Sequence, residues 1–220
     1  MIYLTALSKV LPVLLLILLG AFFRQTHFLS DAMVAGMKKL VVNVTLPCAL
    51  FLAFAGVALE GRHLVLVALV FVACVLVLLL ARATWSRLGF RSAYTPSLMT
   101  GFEAGMMGYA IYGAVYGTAN IFKFAVVDLG QVLFVFFVLV PWISQLATGR
   151  MSLRDTVVGF FKTPVIVAIF LGILVNRLGL VAPLRGFPPT DAVFRTVEML
   201  GAITTPLIAT VIGYEVRIQR

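Results

Sequence analysis

Apolar residues run along this chain in unbroken stretches instead of alternating with polar ones. The stretches cover residues 2–23, 32–58, 63–84, 93–117, 121–144, 156–178 and 190–215, with short polar or basic loops between them. A bilayer core of about 30 Å is crossed by a helix of about 20 apolar residues, so the pattern predicts about seven membrane-spanning helices. Closed β-barrels are the other way to satisfy backbone groups in lipid, but their strands alternate, and runs such as Leu64 to Ala81 do not. The first stretch is too long for a removable leader and lacks a small-residue cleavage site, so it is expected to remain a span.

Composition agrees with the pattern. The chain is 62% hydrophobic and 11% charged, whereas a soluble domain is about one quarter charged. The expected class is an all-α integral membrane protein. Eleven Lys and Arg fall in the loops after spans one, three, five and seven, among them Arg24, Lys38, Arg82, Arg150 and Arg217, against six on the other side. Positive residues favour the cytoplasmic face, so the N-terminus is expected outside and the C-terminus in the cytoplasm of a multi-pass inner-membrane protein. This spread of single charges also accounts for the net charge of +9 without nucleic acid, since there is no Lys/Arg run and no interleaving of aromatic with basic residues.

Two parts of the chain echo each other. The first reads Pro12 to Gly20, then Asn43-Val-Thr45-Leu-Pro47 and Gly56; the second reads Pro164 to Gly172, then Thr204-Thr205-Pro206 and Gly213. Proline and glycine lie eight apart in both copies, and each copy ends in a second span with proline near its middle. Paired helices broken in this way form the midplane binding sites of secondary transporters. Chance similarity between apolar helices is the alternative reading.

Polar chemistry inside the spans is costly and therefore informative. Span four carries Thr100, Gly101, Glu103, Gly105, Gly108, Gly113 and Gly117. So many glycines weaken a helix, by about 0.5–1 kcal/mol each relative to Ala, and predict a break between Gly105 and Gly108 that opens backbone groups to a cavity. Close helix packing through small residues is the competing explanation. In span two, Pro47 removes a donor and displaces the carbonyl of Asn43, leaving a polar kink that Thr45 either satisfies or offers to a ligand. In span five, Asp128 and Gln131 share one face, with Lys123 earlier on the same span. They read as structural glue or as part of an ion path.

Other chemistry finds no support in the spacing. Cys48 and Cys74 read as small buried hydrophobes. His27 and His63 lie in opposite loops, so no metal site is expected, and no phosphate-binding glycine loop or Ser-His-Asp arrangement appears. Neither an enzyme activity nor a cofactor is expected.

The Asn43-to-Pro47 core with its apolar run, Glu103-x-Gly105-x-x-Gly108, and Thr205-Pro206 ahead of Gly213 together resemble the auxin efflux carrier family, including its bacterial members. The resemblance covers residues 3–216. It implies ten helices in two inverted five-helix repeats, with crossing broken helices around the substrate. It also implies small carboxylates such as malonate and malate for bacterial relatives, and the indole carboxylate auxin for plant ones. On this plan residues 1–147 form the first five-helix repeat and 148–220 the first two helices of the second. The substrate-binding positions would be Asn43, Thr45, Pro47, Glu103, Gly105, Gly108, Thr205 and Pro206, with Glu103, Asp128 and Gln131 as coupling candidates. Three departures stand out: Glu103 replaces the family's usual Asn, Ala110 replaces its usual Pro, and, the largest, helices eight to ten of the family's plan are expected to be missing.

Two functions are therefore expected to compete. The first is a secondary transporter of small organic anions working by alternating access, proton- or cation-coupled, as a short homodimeric carrier or a truncated product. The second is a non-transporting seven-helix protein or a vestigial fragment of such a carrier. A retinal-binding receptor is disfavoured because span seven has no lysine for a Schiff base.

Overall fold

The computed structural model describes residues 2–57, 60–85, 87, 89, 92–100, 106–117, 120–148 and 153–216, and every regular element among them is helical. The helices are α1 (Ile2–Gln25), α2 (Asp31–Leu40), α3 (Leu46–Ala55), α4 (Gly61–Thr84), α5 (Thr95–Leu98), α6 (Met106–Tyr116) and α7 (Ile121–Phe134). They continue as α8 (Val140–Thr148), α9 (Leu153–Lys162), α10 (Pro164–Arg177), α11 (Val181–Gly186), α12 (Pro188–Ala202) and α13 (Thr204–Glu215). One π-helical turn, Val41–Thr45, joins α2 to α3, and another, Val135–Leu139, joins α7 to α8.

The chain is an all-α integral membrane protein. Among the described residues, four helical runs are long and apolar enough to cross a bilayer: Asp31–Ala55, Gly61–Thr84, Ile121–Ala147 and Pro188–Glu215. Val10–Gln25, the latter part of α1, and Pro164–Arg177 are shorter apolar helical stretches in the first and sixth expected spans. The sixth is shorter than its apolar run because Pro164, which has no N–H to continue a helix, starts α10 afresh after α9 ends at Lys162. The fourth expected span divides between α5 and α6, and residues 101–105 lie outside the described ones.

Two compact units emerge, and they interleave the sequence. The first comprises Met1–Ala58, Ala104–Phe124 and Pro164–Arg220, and the second Leu59–Glu103 and Ala125–Thr163. In the second unit, Gly130 of α7 lets the α4 backbone approach, since a Cβ there would stand 2.6 Å from the Val67 carbonyl oxygen. Around that contact Cys74, Leu78 and Phe134 are buried together against Phe71, Val138 and Trp142.

The first unit is organised by the echo in the sequence. α1 packs along α13, and α10 packs along α3. Each contact is set by the glycine eight residues after its proline. A Cβ on Gly20 would strike the Thr210 carbonyl and the Tyr214 amide, and one on Gly172 would meet the Phe51 carbonyl at 2.6 Å and the Ala55 amide at 3.2 Å. Phe51 and Ala55 stand four and eight residues after Pro47; Thr210 and Tyr214 stand four and eight after Pro206.

The helix ends match as well. Four residues beyond each glycine, a side chain closes the carbonyl end of the partner helix. Arg24 donates to the Tyr214 carbonyl at 2.8 Å, and Asn176 Nδ2 donates to the carbonyls of Phe54, Ala55 and Val57 at 3.1, 2.7 and 2.7 Å. Three residues further on, both copies turn through a left-handed residue, His27 at φ 56° and Gly179 at φ 65°. The amides that follow return to equivalent carbonyls, Phe28 to Phe23 and Leu180 to Val175, both at 3.0 Å.

Candidate functional site

Prolines make the site. Pro47 has no N–H for the Asn43 carbonyl and would crowd it in a regular α-helix. The chain widens to a π turn over Val41–Thr45, where the Leu46 amide reaches back to the Val41 carbonyl. Pro206 does the same to Ala202, and there the helix is interrupted outright: α12 ends at Ala202, Ile203 turns, and α13 starts at Thr204.

The two interruptions sit at one level. α3 packs against α12, α2 packs against α13, and the π turn touches both α12 and α13. The two spans thus run antiparallel, with their breaks opposed. Gly201 brings the backbones close, since a Cβ on it would lie 3.1 Å from Ala49 Cα. At this level two hydroxyls are sealed from solvent. Thr45 is 0% and Thr204 2% exposed, and neither Oγ1 has a hydrogen-bond partner among the described residues. Each of these threonines stands two residues before its proline.

The expected site residues distribute as follows. Thr45, Pro47, Thr205 and Pro206 come together at the opposed breaks. Thr205 also faces α6, its Oγ1 3.1 Å from where a Cβ on Gly113 would be. Asn43 turns outward instead: its side chain is exposed and donates to the Lys39 carbonyl at 2.7 Å. Thr45 therefore does not satisfy the kink. Gly108 lies in α6, helical from Met106 onward among the described residues, and the remainder of the expected break, at residues 101–105, lies outside them. At Gly108 the Phe124 ring fills the place of a side chain, with Cζ 2.5 Å from a Cβ built there. Gly117, at φ 82°, ends α6 as expected. Glu103 and Gly105 lie outside the described residues. Asp128 and Gln131 are half-buried on α7, in the second unit.

Thr204 is the buried residue at the breaks that sequence reasoning passed over, in favour of its neighbour Thr205. The signal was available, for Thr204 has the same offset from Pro206 as Thr45 has from Pro47.

Cavities lie toward both ends of the first unit. One of about 460 Å³ is lined by Ala49, Leu52, Ile121, Phe194, Gly201 and Ala202 and rimmed by an Arg185–Glu198 ion pair. The other, about 270 Å³, is lined by Arg24, Asp31, Lys38, Tyr214 and Glu215. There Lys38 pairs with Glu215, and the Tyr214 hydroxyl lies 2.9 Å from the Asp31 carboxylate and 3.1 Å from the Leu29 carbonyl.

Fold and site together define a polytopic helical membrane protein with paired, interrupted spans. The chain is similar to a protein of Methanothermobacter thermautotrophicus described as an uncharacterized transporter. The two are 26% identical over 221 residues, which span 97% of this chain and 68% of that protein. No family model matches the chain, and no solved structure matches it.

Proposed function

We propose that this chain is a secondary transporter of small organic anions, working by alternating access and resembling the auxin efflux carriers. The opposed breaks with their two buried, unpartnered threonine hydroxyls carry the reading. A buried hydroxyl without a partner costs about 1–3 kcal/mol, and a site that admits a polar ligand during part of its cycle recovers that cost. The first turn of α13 offers N–H donors at this level and the last turn of α12 offers carbonyl acceptors. A carboxylate is suited to the donors. The similarity to an uncharacterized transporter supports transport in general, and the motif resemblance supports organic anions as cargo. In this reading the N-terminus is outside, the two copies are inverted, and Glu103 carries the coupled proton.

The test is to replace each threonine by valine, which keeps the shape and removes the hydroxyl. Thr45→Val and Thr204→Val should fold as well as the parent, because no bond is lost. Uptake of malonate, malate or an indole carboxylate into proteoliposomes should fall about tenfold, the equivalent of about 1.4 kcal/mol. Unchanged uptake in both variants would overturn the assignment of the site. A well-folded parent that moves none of these anions would overturn the transport reading itself.

A further inference from the structure

Beyond transport, we infer that the cavity beneath Arg185 and Glu198 is a binding site for the head group of an ethanolamine phospholipid. Opposite charges stand on the rim. Arg185 comes from the short helix α11 between two spans, and Glu198 from the third turn of α12. Their ion pair is half-exposed, at 40% and 43% of the side chains. The Arg185 guanidinium also lies 5.1 Å from the centre of the Phe194 ring. A ligand with a single charge would free one partner of this pair and leave the other facing a mostly apolar cavity. A zwitterion exchanges one pair for two: its phosphate to Arg185, its ammonium to Glu198. The ammonium must carry N–H groups to donate to the carboxylate, which selects ethanolamine over choline.

Phe194 separates the charged cavity from an apolar groove of about 290 Å³, lined by Pro47, Phe51, Leu171, Val193 and Val197 and presenting no polar surface. Leu171 and Val193 are exposed on its rim, at 49% and 61%. In a membrane protein such side chains face acyl chains. A phospholipid fits this pairing of a zwitterion-matched rim with a wholly apolar groove, and a free head group would leave the groove unused.

The full chain in nanodiscs or detergent tests this. Thermal unfolding midpoints should rise more with phosphatidylethanolamine than with phosphatidylcholine or phosphatidylglycerol, and native mass spectrometry should show ethanolamine lipid retained. Arg185→Gln and Glu198→Gln should each lower the apparent affinity for phosphatidylethanolamine about fivefold and abolish the preference over phosphatidylcholine. Leu171→Trp should weaken lipid binding while keeping the ion pair. Equal shifts with the two zwitterionic lipids, or a preference that survives both Gln variants, would overturn the proposal. So would a shift produced by glycerophosphoethanolamine alone, without tails.

Discussion

The two copies of the echo reach the same end by different chemistry. In the first, Arg24 closes the α13 carbonyl end with one charged bond, and its guanidinium stands 5.3 Å over the Tyr214 ring, beside Asp31, Lys38 and Glu215. In the second, Asn176 closes the α3 end with a neutral amide shared among three carbonyls. One end is closed by a charged side chain among other charges, and the other by an uncharged amide shared among carbonyls. The same architectural need, unsatisfied carbonyls at a helix end, is met by a guanidinium in one copy and by a shared amide in the other.

The largest expected effect would show how far the copies are equivalent. Gly20→Ala and Gly172→Ala each drive a Cβ into partner backbone, and both should destabilise the protein by about 3 kcal/mol, the upper range for overpacking. Chemical unfolding in detergent measures this, and a loss at only one position would break the equivalence. Next in size, Asn176→Ala leaves three carbonyls to be satisfied and should cost about 2–3 kcal/mol, whereas Arg24→Ala leaves one and should cost about 1 kcal/mol. A reversed order would mean that the charge at the first end matters more than the count of acceptors.

Smaller effects sharpen the contrast. His27 takes up the left-handed conformation that Gly179 adopts freely. His27→Gly should therefore raise stability by about 0.5–1 kcal/mol, and Gly179→Ala should lower it by about 1 kcal/mol. Smallest of all, Lys38→Gln removes a surface ion pair and should cost less than about 1 kcal/mol. That difference should shrink as salt rises from 0.05 to 0.5 M, because about 0.1 M already confines exposed charges to a range of about 10 Å. The cost of Asn176→Ala should not change with salt.

The spans and their breaks were legible because hydropathy and proline act locally. A run of apolar residues declares a helix wherever it lies, and Pro47 and Pro206 mark their interruptions without reference to any partner. Thr45 could be read as polar and mid-span, but its lack of a hydrogen bond could not, since that depends on what α12 and α13 leave unoffered. The roles of Arg24 and Asn176 were hidden for the same reason, because their acceptors lie more than a hundred residues away in the chain. Glycine weakens an isolated helix, so Gly108 could be read as a weak point, but the sequence could not show that the Phe124 ring occupies the space beside it.

The π turn at Val41–Thr45 has a genetic consequence. Its hydrogen-bonded ring, closed from Leu46 to Val41, holds one residue more than an α-helical turn. Removing a single codon within this turn would let α2 and α3 fuse into one regular helix, each flank keeping its own face. Proline would then meet the carbonyl four residues before it, so the shortened gene should be rescued by a second change replacing Pro47 with alanine. That double mutant would be a straight, closed span with its surplus residue gone, and chemical unfolding in detergent would distinguish it from the parent.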